Sequence, residues 1–274
     1  MRMAILTAWM AALVLAGGCS GGGNARYETV ERLSNGLIII LPGIEGESSL
    51  NHQIRDGLVA AGIDRAMPIY SWGRPVPIAG PLLNQMDFIG NRLEGRRIAK
   101  MIMSYQDNFP DRPVYLIGHS GGGGVAVFTA EALPEDRKID GLVLLSASIS
   151  SAYDLSKAIS RCRNGVLNIY TKADVGLLVV GTTVAGNVDG TRGPAAGAIG
   201  FDKPRSREKI EKYQAYLRLY EMELTGDAAG GLAGAHSCTT RSGFISTYVV
   251  PWITSPTWPP PSLAYLAGEG TVTP

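Results

Sequence analysis

Residues 113–129 read PVYLIGHSGGGGVAVFT, and the order of residue types along them decides the fold. Val114, Tyr115, Leu116 and Ile117 form a short apolar run suited to a buried strand. Gly118-His119-Ser120-Gly121-Gly122 follows, and Val125, Ala126, Val127 and Phe128 continue as a helix. A serine thus sits at the tip of a strand-turn-helix unit, the context in which G-x-S-x-G carries chemistry. Its hydroxyl becomes a useful nucleophile only where Oγ stands clear of the sheet and within reach of a base. Small neighbours at Gly118 and Gly122 let strand and helix approach closely. No Gly-Lys-Ser/Thr follows, so the turn is not a nucleotide P-loop, and no strand-borne G-x-G-x-x-G fits a dinucleotide site.

Outward from this turn, apolar runs alternate with amphipathic ones. Leu37-Ile38-Ile39-Ile40-Leu41, bounded by Asn35-Gly36 and Pro42-Gly43, reads as a central parallel strand. Residues 49–61 carry Leu50, Ile54, Leu58 and Ala61 at helical spacing. A second strand is expected over 66–70, a proline-rich loop from Trp72 to Pro81, and a long helix over 84–108 with Phe88, Ile89, Leu93, Ile98, Ile102 and Tyr105 as its apolar stripe. Strands follow at 139–145 and 166–170, with a short helix over 153–162 between them. Residues 175–200 are glycine-rich and read as a long loop, a site wall or a plain solvent loop. Residues 205–216 suggest an exposed helix, 217–224 a last strand or a helical continuation, and 242–253 a C-terminal helix. The alternation predicts an α/β fold: a mainly parallel sheet with helices on both faces and ligands beyond the carboxyl ends of its strands.

The 274 residues, 45% hydrophobic, suffice for one large α/β domain. A net charge of +1 gives no reason to expect nucleic acid as a partner. The first 19 residues, MRMAILTAWMAALVLAGGC, place Arg2 before an apolar stretch too short to span a bilayer comfortably. Leu15-Ala16-Gly17-Gly18-Cys19 resembles a bacterial lipoprotein processing site, with Leu15 one position further from Cys19 than in the commonest form. The resemblance implies lipidation of Cys19, a membrane anchor and a cell-envelope location, outer membrane or periplasm; plain secretion is the main competing expectation and an uncleaved anchor a lesser one. Ser20 to Asn24 would serve as a flexible tether. Without Cys19 two cysteines remain, Cys162 and Cys238, which either form a bridge or stay as buried thiols.

Three histidines are available as a base. His119 lies inside the turn and should point away from Ser120, and His52 falls on the first helix. His236, in Gly234-Ala235-His236-Ser237, stands in a late loop before the last helix. For the orienting carboxylate, Asp174 follows the strand at 166–170 and lies on the same rim as Ser120; Asp154, Asp189 and Asp202 are its rivals. One oxyanion donor is expected from the amide of Gly121 and the other from the bend Pro42-Gly43-Ile44-Glu45-Gly46, through Ile44 or its neighbour Glu45.

Taken in chain order, Pro42-Gly43 after the first core strand, Gly118-His119-Ser120-Gly121-Gly122, Asp174 after a strand and late His236 resemble the α/β-hydrolase family over about residues 37–253. The resemblance implies an α/β-hydrolase fold and a Ser120-Asp174-His236 triad acting on carboxylic esters or related small-molecule acyl substrates, with no metal or cofactor. Pro42 stands where many lipases and esterases have histidine, the usual first antiparallel strands have little room, and no large lid domain is apparent. The chain divides into a signal peptide at 1–18, a tether and lead-in at 19–34, a hydrolase domain at 35–253 and a proline-rich tail at 254–274 expected on the surface or disordered. A non-catalytic binding protein on the same fold, and an envelope structural protein, are the alternatives.

Overall fold

A computed structural model describes residues 24–73, 85–174, 186–204, 210–225 and 236–263. Five strands form one parallel sheet in the order β1-β2-β3-β4-β5: β1 is Leu37–Leu41, β2 Val114–His119, β3 Gly141–Leu145, β4 Val166–Tyr170 and β5 Leu219–Glu223. In register, Ile40 stands opposite Ile117 and Leu41 opposite Gly118. β1 to β4 are buried along their whole length, which is why apolar residues dominate them, although β4 carries the buried Asn168 at its centre and β2 ends in His119.

Strand alternation divides the core into two layers. Leu37, Ile39, Leu41, Leu116 and Leu144 face α3 (Phe88–Asn108), α4 (Gly121–Ala132) and α5 (Ser156–Ser160). Ile38, Ile40, Tyr115, Ile117 and Leu145 face α2 (Ser49–Ala60) and the C-terminal helix. That helix runs as Ser242–Phe244, a π-helical Ile245–Val249 and Val250–Thr254, so the expected helix over 242–253 is present but locally widened just before Pro251. Ser48 caps α2 in a capping box with Asn51, and the Asp87 side chain caps α3 by accepting from the Gly90 amide at 2.9 Å. A short α1 (Val30–Asn35) leads into β1. Beyond β4 lie α6 (Ala196–Ile199) and α7 (Ile210–Tyr216). This is an α/β-hydrolase fold: a parallel sheet, helices on both faces and a strand-turn-helix unit at its centre.

Several expectations need correction. Residues 66–70 lie beside β1 but pair with it only through isolated parallel bridges, Leu37 with Ala66 and Ile40 with Ile69. Pro68, which lacks an N–H, accepts from Ile40 and cannot extend the ladder. In α3 the buried stripe is Asn91, Gly95, Ile98, Ala99, Ile102 and Tyr105, whereas Phe88, Ile89 and Leu93 are exposed. The helix turns its glycine inward because α4 lies so close that a Cβ on Gly95 would stand 2.9 Å from the backbone of Phe128. The helix expected over 153–162 shortens to α5, and the uncertain 217–224 segment holds β5. Asn24, expected in a tether, is buried: its side chain donates to Ile69 O at 3.1 Å and accepts from Arg55 at 2.7 Å.

The start of the tail also joins the core. Trp258 is buried against Trp252 and Tyr220, with its indole N–H donating to Trp252 O. Gly141 leaves it room, since a Cβ there would meet the Trp258 ring at 2.6 Å. No bridge joins Cys162 and Cys238. Cys162 is buried in the α3-α4 layer and Cys238 in the opposite one, so the sheet stands between them. The proposed lipidation site Cys19 and the signal-like segment lie outside the described residues. No helix among the described residues is long and apolar enough to cross a membrane.

Candidate active site

The topology reverses at one place. From β1 the chain runs through α2 to the 66–70 segment on one side, then returns through α3 to β2 on the other. Helices of opposite layers leave the two strands there, and such a reversal at the carboxyl ends of β1 and β2 is where sheets of this kind place their sites. The bend after β1 and Ser120 after β2 both fall there.

Ser120 takes φ 51° and ψ −123°, a backbone conformation that side-chain-bearing residues rarely adopt. Holding it there costs about 1–3 kcal/mol, supplied by the surrounding structure. The Ser120 amide donates to Leu145 O at 3.0 Å, and Ser120 O accepts from the amides of Gly123 at 3.0 Å and Ser148 at 2.9 Å. The flanking glycines are required by space: a Cβ on Gly118 would stand 2.5 Å from Gly122 O, and one on Gly122 would stand 2.2 Å from Pro42 O. Strand, helix and the bend after β1 thereby close around the serine.

His236 reaches the same point from the far end of the chain. Its Nε2 lies 3.0 Å from Ser120 Oγ, within hydrogen-bond distance. His119 does point away from Ser120: its Nε2 lies 3.1 Å from the backbone oxygen of His236. Burial, and secondarily the neighbouring His236 ring, lower its pKa to about 3, so it stays neutral. His52 is exposed and pairs with Glu47 at 2.9 Å.

Asp174 ends a 3₁₀ turn, Lys172–Asp174, directly after β4, on the carboxyl-end rim; its side chain is outside the described atoms. Thr171 Oγ1 ties the start of that turn to Leu224 O at 2.9 Å. Its rivals have other partners. Asp154 accepts from Ser156 and pairs with Lys212 at 2.9 Å. Asp189 accepts from the Ser150 amide and the Thr191 hydroxyl. Asp202 is exposed and lines a cavity of about 1000 Å³ between α5 and α7, whose lining includes neither Ser120 nor His236.

Ile44 and Gly121 are brought together, since a Cβ on Gly121 would come within 2.7 Å of Ile44 Cγ2. Trp72, which the sequence places only in a proline-rich loop, fixes this bend: it is buried and its indole N–H donates to Pro42 O at 2.7 Å. Gln85 likewise escapes sequence reasoning. Its Nε2 donates to Ser148 Oγ at 2.7 Å and Gly186 O at 2.8 Å, bracing the residue that holds Ser120 O. A tryptophan beside Pro and Gly was the one available signal for the first; nothing local marks the second. Among the described residues no group of three His, Cys, Asp or Glu side chains is placed to hold a metal ion.

No family model matches the chain, and no curated protein does. Solved structures do show a likeness. Esterase PE8 is 15% identical with a TM-score of 0.41, covering 74% of this chain and 90% of its own. Aspergillus fumigatus lipase B is 14% identical with a TM-score of 0.48, over 82% of this chain and 54% of its own, so the match spans about half of that lipase. The NocB thioesterase domain is 15% identical with a TM-score of 0.39, over 77% of this chain and 89% of its own.

Proposed function

We propose that the chain is a serine hydrolase that cleaves carboxylic esters or related acyl bonds through an acyl-enzyme. The observation that carries this reading is the 3.0 Å approach of His236 Nε2 to Ser120 Oγ at a strained strand-turn-helix tip. In the tautomer with its proton on Nδ1, His236 accepts the hydroxyl proton at Nε2 while Oγ bonds to the acyl carbonyl carbon. The carbonyl oxygen gains negative charge, and the amides of Gly121 and Ile44 are assigned to hold it. The protonated imidazole then gives its proton to the leaving group as that bond breaks. Water, deprotonated by His236, repeats the attack and frees the acid and Ser120. Asp174 is assigned to orient His236 through Nδ1–H and to stabilise the imidazolium. The mechanism leaves ester, thioester and amide leaving groups all admissible. The segment ending in Cys19 supports an envelope location through a lipid anchor.

The test is labelling of the purified protein with a fluorophosphonate, beside turnover of p-nitrophenyl esters of increasing chain length. We expect stoichiometric labelling that is absent in Ser120→Ala. His236→Ala should lower kcat/KM by about 10⁴-fold or more, and Asp174→Asn by about 10³- to 10⁴-fold. A folded protein that takes no label would overturn the reading in favour of a binding protein on a hydrolase fold.

A further inference from the structure

His119 is the member of the turn to which the mechanism gives no task. By strand alternation its side chain falls with Tyr115 and Ile117, on the layer that holds Cys238 and the C-terminal helix. It is 1% exposed. Its Nε2 meets the carbonyl oxygen of His236 at 3.1 Å, and the two rings lie 5.0 Å apart at 48°. A carbonyl only accepts, so Nε2 carries the proton and Nδ1 is the bare nitrogen. Nδ1 has no hydrogen-bond partner among the described residues, so nothing competes for the other tautomer.

We propose that His119 is a positioning residue for the base: its Nε2–H holds the His236 carbonyl, so that two consecutive residues of one turn grip His236 at both ends. This rests on the reading of Ser120 and His236 as nucleophile and base. The grip sets the reach. His119 fixes the backbone of His236 relative to β2, and Ser120, the next residue, receives the imidazole of the same residue at 3.0 Å. Farther along, Ser146 Oγ and Thr239 Oγ1 lie 3.3 Å apart, tying the following turn to the end of β3. The loop is thus held to two neighbouring strands, with the His119 bond reaching the backbone of His236. A displacement of about 1 Å at such a contact costs on the order of 100-fold in rate. A neutral donor suits the place, because a second cation 5.0 Å from His236 would oppose the imidazolium that forms during turnover.

The test compares His119→Gln, His119→Asn and His119→Leu in the full chain with Ser120→Ala and His236→Ala. Turnover of p-nitrophenyl butyrate is expressed per fluorophosphonate-labelled Ser120, so that loss of folded protein does not count as loss of rate. Glutamine carries an N–H to about the place of Nε2; asparagine falls short and leucine has none. We expect Asn and Leu to lower kcat by about 10- to 100-fold, with KM changed less than about 3-fold and labelling slowed by the same factor as kcat. Gln should recover most of the rate. Should Leu fail to fold, the Gln-against-Asn comparison carries the same decision. Wild-type turnover per site in His119→Asn, or a Gln variant as slow as Asn, would overturn the proposal while slow Ser120 and His236 variants left the triad reading intact. Full activity in Ser120→Ala or His236→Ala would overturn that reading and this proposal with it.

Discussion

At Ser120 the backbone holds φ at 51° and places the hydroxyl 3.0 Å from His236 Nε2, and two substitutions separate the parts of that arrangement. Ser120→Ala removes the hydroxyl and keeps the strain. Ser120→Gly removes both, and should unfold about 0.5–1 kcal/mol above Ser120→Ala despite the added freedom of its unfolded chain. Chemical denaturation of the two variants measures the difference. His119 supplies a second residue-scale prediction. Between its folded pKa of about 3 and the ordinary histidine value, the unfolded chain binds a proton here and the folded chain does not. Stability is therefore lost as pH falls through that window. From pH 7 to pH 5 the wild type should lose about 2 kcal/mol more than His119→Gln, as read from urea midpoints at the two pH values. The turn around Ser120 and the approach of late His236 to it were legible in the sequence because a strand-turn-helix pattern and chain order are local and ordinal features. The grip of His119 was not, since it lies in a contact between residues 119 and 236. What the sequence did offer was that the His119 side chain, inside the turn, should point away from Ser120, as it does.

At the scale of elements, the strands were easier to place than the helix faces. Four consecutive buried strands leave short, mostly apolar runs, whereas α3 exposes Ile89 and Leu93 and buries Gly95. The stripe drawn through its largest apolar residues was wrong over the first turns because closeness to α4, and not residue size, chose the inward face. Gly95→Ala tests this. In an exposed helix interior the change would stabilise by about 1 kcal/mol. Here the new methyl meets Phe128 backbone at 2.9 Å, so the net effect should be destabilising by about 1–2 kcal/mol, seen as a lower denaturation midpoint. The 66–70 segment teaches a related point: its residues suit a strand, but Pro68 withholds the donor that a continuous ladder needs.

Across the whole molecule, the packed unit extends past the five-stranded α/β core at both ends. Tyr27 and Leu33 are buried before β1, and Trp258 is buried after the last helix. The tail was read as surface chain because its prolines exclude regular structure, yet irregular backbone does not prevent one large aromatic side chain from filling a gap above Gly141. Trp258→Ala should cost about 3–5 kcal/mol in unfolding free energy, while kcat per labelled serine changes little, which thermal melts and active-site titration together would establish.

The parallel sheet has a further consequence, for how the chain comes to be folded. With no hairpin among its five strands, no strand can pair with the one made just before it without a crossover; Leu37 must wait for Val114. Long closures precede every strand pairing, so folding is slow for a chain of this size. Meanwhile Leu37–Leu41, all five residues apolar, stands unpaired on the nascent chain. Dilution from denaturant should give a yield that falls steeply with protein concentration, and a holdase chaperone that recognises extended apolar segments should restore it.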